Sequence, residues 1–313
     1  MKRRSYTVAC LAGDGVGPEL MAEASRVLDE VSRLHGIRIA DVHVPFGSEA
    51  LTRHGHPLPP STRAAYLEAD AVLVAASGGP ELDEIEAELD VRAALTRVLF
   101  APRGDVTLIS PLADDLAEWT IEAAFQIARE RQARLASVYP DGAWRELVDE
   151  IADRHDGVLV EHLSVAAGLP ALAFEPERFD VIVTGARLAD ALAGIACAIE
   201  REDRVVAAGR IAGNGPGVFA PVHAPSADDA GHGVANPSPM LLAVALLLAE
   251  GLGERSAAAT LLEALTGAAS SGLRTADGLR LGAAATTRQF TDAVVALLPA
   301  TVTTAEFFGM GSR

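Results

Sequence analysis

Short strand-like runs at residues 6–11, 37–44 and 70–76 alternate with stretches whose apolar residues recur at helical spacing. This alternation constrains the fold more than any other feature of the chain. Strands interleaved with helices pack as a mostly parallel sheet with helices on its faces, an α/β class. The first helix is marked by Pro18 in its opening turn and by Leu20, Ala24, Val27, Leu28 and Val31 at helical spacing. Further along, the pattern predicts helices over 119–134, 144–154 and 188–200, with strands at 134–138, 158–163 and 180–184. Helices are predicted again over 240–252, 257–269 and 287–298, while 209–236 reads as a long loop rich in Gly, Pro and Ala.

A length of 313 residues suits one large α/β domain or two ordinary ones. The chain has 43 acidic against 26 basic residues and a formal charge of −17. Such a surface repels phosphate backbones, and 4% aromatic content leaves little for base stacking, so nucleic acid is excluded as a partner. The longest apolar run, 240–249, is far short of the roughly 20 residues of a membrane span, so no membrane partner is expected. Cys10 and Cys197, the two cysteines, build neither a zinc knuckle nor a disulfide framework, which fits a reducing cytoplasmic setting. Lys2 is the only lysine. Arginine holds its proton at any workable pH, so Schiff-base chemistry, a P-loop lysine and a lysine general base are excluded from the interior.

Two segments invite a ligand. Gly13-Asp14-Gly15-Val16-Gly17 lies between a strand and a helix and reads either as a phosphate cradle or as a structural turn. The loop 219–237 carries His223, Asp228, Asp229, His232 and Asn236 between Gly and Pro anchors. An imidazole and an amide suit an adenine, and a carboxylate suits ribose hydroxyls. The competing reading is a capped surface loop whose Asn236-Pro237 starts the next helix.

Taken in order, Gly13-Asp14-Gly15-Val16-Gly17-Pro18-Glu19, Ala76-Ser77-Gly78-Gly79-Pro80, the segment 176–184 (PERFDVIVT), Pro221-Val222-His223 and the segment 228–237 (DDAGHGVANP) resemble the isopropylmalate/isocitrate dehydrogenase family, the β-decarboxylating dehydrogenases. The resemblance spans nearly the whole chain. It implies a two-domain α/β fold with a shared, mostly parallel sheet, residues 1–98 with 215–313 forming the cofactor-type domain and 99–214 the middle domain. It also implies NAD, or another small-molecule nucleotide, on the loop, with His223 and Asn236 at the adenine, Asp228 at the ribose and Asp229 beside it. An acid at the ribose favours NAD over NADP. A homodimer is implied as well, or a heteromer with an active paralogue.

The family's chemistry finds few of its groups here. Its catalytic lysine position falls on Pro140, and the metal aspartate donated across the dimer falls near Ala166. Of its paired helical aspartates Asp190 remains and the other is Gly194, so Mg2+ or Mn2+ has only Asp190 as a ligand. Two substrate arginines map to Glu86 and Thr96, with Arg92 and Arg97 close by. Ser110 takes the third arginine's position, in a shortened segment that also loses the tyrosine. The expectation is a fold-retaining relative that keeps nucleotide binding without the standard chemistry. The alternative is an NAD-dependent oxidoreductase or decarboxylase with a rebuilt site, drawn from Tyr139, Asp141, Glu86, Arg92, Arg97 and Asp190.

Overall fold

The computed structural model describes residues 4–75, 80–102, 104–139, 141–198, 204–222, 228–275 and 284–309, with the backbone alone at 196–198, 204 and 299–309. Its elements begin with β1 (Ser5–Leu11), α1 (Gly17–His35), β2 (Arg38–His43), α2 (Ser48–His54), α3 (Pro60–Glu68), β3 (Ala71–Val74) and α4 (Pro80–Glu88). They continue with β4 (Val91–Phe100), β5 (Gly104–Pro111), α5 (Ala117–Arg129), β6 (Arg134–Tyr139), α6 (Gly142–Ala152), β7 (Leu159–Ser164), α7 (Val165–Phe174), β8 (Val181–Thr184), α8 (Ala186–Ala198) and β9 (Arg204–Ala212). The order closes with β10 (Gly217–Pro221), α9 (Ser238–Leu246), α10 (Arg255–Ser270) and α11 (Thr287–Gly309). The α/β expectation holds, with mostly parallel strands. The chain divides into two compact units, Met1–Asp90 with Asn214–Arg313, and Val91–Gly213.

In the first unit β2, β1, β3 and β10 are neighbours in that order, all parallel. β3 is buried at all four positions, as a strand covered on both faces must be. α1 buries Leu20, Met21, Ala24, Val27, Leu28 and Val31 and ends at Gly36, whose φ of 63° is the left-handed cap that glycine supplies. α9 is buried over almost its whole length and shows no polar face, the pattern of a core helix. It does not run regularly to 252: a wider turn follows at Leu247–Gly251. There a Cβ on Gly251 would stand 2.8 Å from the Phe219 ring, so only glycine lets helix and strand approach this closely.

In the second unit the order is β9, β4, β5, β8, β6, β7. β4 runs antiparallel to both β5 and β9, and the remaining pairs are parallel. Here the sequence reading needs correction. The stretch 209–236 is not all loop: β9 reaches Ala212 and β10 spans Gly217–Pro221. Small residues in β9 hide its alternation, and the long ladder with β4 supplies the strand instead. The helix expected to reach 134 stops at Arg129, and Ala133 turns the chain with a φ of 55°.

Along β8 the side chains alternate between two cores. Val181 and Val183 join Phe125 of α5 and Trp144, Val148 and Ile151 of α6. Ile182 joins Val138, Leu172 of α7 and Leu192 of α8. α7, with sequence VAAGLPALAF, has no polar side chain, yet Ala166, Ala167, Pro170 and Phe174 are exposed, Phe174 at 83%.

Candidate functional site

The turn from β1 into α1 carries Gly13 and Gly15 at φ of 68° and 60°. Between them Asp14 reaches the start of α2. Its carboxylate accepts from Ser48 N at 2.9 and 3.2 Å and from Ser48 Oγ at 2.9 Å. Gly47 at φ 74° fits beneath it, where a Cβ would lie 3.0 Å from both carboxylate oxygens. Asp14 thus satisfies donors that a helix start leaves open, and the turn acts as a tether. This supports the structural-turn reading of the glycine segment.

The loop carrying the nucleotide candidates is held from three sides. Glu19 Oε2 in the first turn of α1 accepts from Gly233 N at 3.2 Å. Thr287 N donates to Gly233 O at 2.9 Å, and Thr287 Oγ1 donates to Ala235 O at 2.7 Å. Asn236 Oδ1 accepts from Ser238 N at 2.9 Å, so the side chain matched to adenine also starts α9. Gly231 and Gly233, at φ of 76° and 63°, bend the loop between these anchors. Asp228 is exposed and Asp229 half-buried. His223 lies outside the described residues. The structure thus places Asp228, Asp229 and Asn236 on one anchored loop. Sequence reading passed over its supports, Glu19 and Thr287. Glu19 stood in a quoted motif, while nothing local singles out Thr287.

The other candidates fall in the second unit and engage different neighbours. Tyr139 ends β6 half-buried, with the Arg145 guanidinium 5.9 Å from its ring centroid. Asp141 caps α6, accepting from Trp144 N at 2.9 Å. Arg92 lies over the Trp119 ring at 5.7 Å, in space that a Cβ on Gly213 would fill. Arg97 is buried, its Nε 2.7 Å from Asp105 Oδ2. Arg131 extends that knot, meeting Asp105 at 3.0 Å and Asp180 at 2.7 Å, and Asp180 also accepts from Gln132 N at 2.9 Å. Burial pushes the Asp105 carboxyl up, but the Arg97 and Arg131 charges outweigh it and hold the carboxyl below its ordinary range. Arg97 is therefore a structural cation tying β4 to β5. Glu86 is half-buried on α4.

These residues do not fit a divalent cation. Asp190 is exposed on α8 and the position one turn on is Gly194. Among the described residues no three His, Cys, Asp or Glu side chains group to hold a metal. None of the described helices is long and apolar enough to cross a membrane.

The sequence model described as Isocitrate/isopropylmalate dehydrogenase matches residues 7–102 and 103–294. The chain is 32% identical over 334 aligned positions to a 3-isopropylmalate dehydrogenase of Synechococcus sp. (strain CC9902), covering 87% of this chain and 93% of the relative. It is 34% identical over 330 positions to the 3-isopropylmalate dehydrogenase of Salinibacter ruber, covering 88% and 90%. In structure it resembles a β-decarboxylating dehydrogenase of Thermococcus kodakarensis in its apo form, with TM-score 0.81, 24% identity and coverage of 96% and 98%. An isocitrate dehydrogenase of Methylococcus capsulatus follows at TM-score 0.75, 21% identity and coverage of 94% and 99%. At these identities the two structures speak to the fold alone.

Proposed function

The chain belongs to the isocitrate/isopropylmalate dehydrogenase family, and from that premise we propose that it is a cytoplasmic member that binds NAD or an adenine nucleotide without the family's standard catalysis. The observation that carries this reading is an asymmetry in the sequence. The loop 228–237 is retained and anchored, whereas Pro140, Ala166, Gly194 and Ser110 stand where the reacting groups would be, and Lys2 is the only lysine. A missing general acid or base costs about 10²–10⁴ in rate, and members of one catalytic unit fail together.

Asp228 would take the ribose hydroxyls, and Asn236, with His223, the adenine. Bound NAD supplies a hydride acceptor, while this chain's residues bind and orient the adenosine end. The exposed apolar side of α7 supports a homodimer that covers it.

Calorimetric titration with NAD, NADH, AMP and ADP tests the reading. Saturable binding is expected, weakened about tenfold by Asp228→Ala through loss of charge-assisted hydrogen bonds. No binding of any of the four overturns it. So does NADH formation from a panel of 2-hydroxy acids that is abolished by Asp190→Asn, since that result makes the protein a rebuilt enzyme.

A further inference from the structure

We propose that the second unit carries a ligand site of its own, a hollow of about 600 Å3 that takes an apolar α-amino acid. Topology creates it. β8 lies between β5 and β6, with α5 and α6 packed on one face of these strands and α8 on the other. Chains that leave neighbouring strand ends toward opposite faces open a crevice, and in α/β folds ligands bind there. The hollow sits at those carboxyl ends, between Asp114 beyond β5, Asp141, Trp144 and Leu147 at the start of α6, and Arg187 and Leu188 at the start of α8. Its volume lies within the usual span of small-molecule sites.

The lining selects the ligand's chemistry. Trp144, 8% exposed, joins Leu147 and Leu188 in an apolar wall. Trp144 Nε1 is buried and has no hydrogen-bond partner among the described residues, so it is the ring carbons of Trp144 that the hollow meets. The rim is charged and divided. Arg187 and Asp114 stand 4.0 Å apart with side chains 92% and 80% exposed. A pair so exposed contributes little by itself, so both groups remain available to a ligand. The first turn of α8 holds no acidic residue, and the positive end of that helix adds to Arg187. Asp114 and Asp141 form the opposite pole. Two carboxylates against one guanidinium oppose a dicarboxylate or a phosphate. A zwitterion satisfies both poles, its carboxylate toward Arg187 and its ammonium toward Asp114, with an aliphatic or aromatic side chain against Trp144. Every residue named here belongs to the second unit, so the site stands independently of nucleotide binding in the first.

Calorimetry on the full chain tests this with L-leucine, L-phenylalanine, 4-methylpentanoate, which lacks the ammonium, and L-leucinamide, which lacks the carboxylate. Saturable binding of at least one amino acid is expected, with both truncated analogues and Arg187→Ala weaker by about tenfold, the scale of one charge-assisted hydrogen bond. Ala143→Trp, which fills the hollow from an exposed position, should abolish binding while leaving the urea unfolding curve in place. Three results overturn the proposal. They are silence with both amino acids, equal affinity for 4-methylpentanoate, and unchanged affinity in a folded Ala143→Trp variant. AMP titrated into the same samples reads the first unit, so failure of one reading is distinct from failure of the other.

Discussion

Replacing Asp105 by alanine isolates the energetics of the second unit's buried charges. The carboxylate stands between Arg97 at 2.7 Å and Arg131 at 3.0 Å, with side chains 6% and 14% exposed. Arg131 keeps Asp180 at 2.7 Å, but among the described residues Arg97 has no other carboxylate within ion-pairing distance. Stranding a buried cation in this way costs about 3–5 kcal/mol. A Coulomb estimate agrees: unit charges about 4 Å apart at an effective dielectric constant of about 20 interact by about 4 kcal/mol. The expected loss lowers the melting temperature by about 10 °C at about 2–4 °C per kcal/mol. Both tryptophans, Trp119 and Trp144, lie in this unit, so intrinsic fluorescence during urea unfolding reports on it. Asp105→Ala made on top of Arg97→Met should cost much less, because the stranded charge is gone. A loss below about 1 kcal/mol, the scale of an exposed pair, refutes the argument. Equal losses with and without Arg97 refute it too.

Acid acts on the same knot. The folded Asp105 carboxyl is held low, so its contribution is fully present above the ordinary aspartate value of about 4 and is lost as pH falls from there through the folded value. Asp105→Asn should flatten that acid limb in urea titrations between about pH 2 and about pH 6, and an unchanged limb contradicts the assignment. Asp14→Ala removes the tether to Ser48 and should cost about 1 kcal/mol, with faster amide exchange at the start of α2. Unchanged exchange there would show that the tether does not hold that helix. Cys10 is buried, and loss of solvation, with a lesser push from Asp41, drives its thiol up to about 12. In a Cys197→Ser variant, a thiol reagent at about pH 8 should leave Cys10 unmodified until the protein unfolds, and labelling of the native protein contradicts this.

α1 was legible from its own residues, because Pro18 and the apolar spacing encode its start and buried face locally, while its end at Gly36 came from the structure. β9 and β10 were not, since the small residues of β9 hide its alternation, β10 is only five residues long, and the strands arise from pairing with β4 and β3. Arg97 looked like a site candidate because it stands next to Thr96, the position matched to a substrate arginine of the family. Its partner Asp105 comes from β5, and Asp105 in turn holds Arg131 from the turn before β6, which no local pattern connects. The loop 228–237 was visible by composition, but the anchor of its Gly233, Glu19, is 214 residues away. Asp14 was visible as part of a glycine turn, yet its role depends on Ser48, 34 residues on.

The division of the chain also sets an order for its assembly. The second unit is one continuous stretch, whereas the first is stitched from two segments, β3 pairing with β10 across more than a hundred intervening residues. On the ribosome the inserted stretch emerges whole and can condense while residues 1–90 still wait for β10 and α9 to appear. Joining distant segments is entropically slow, so the first unit should gain its structure last. The anchors of its loop, Glu19 and Thr287, stand on helices that flank the inserted unit in the sequence, so the loop can be fixed only after both have emerged.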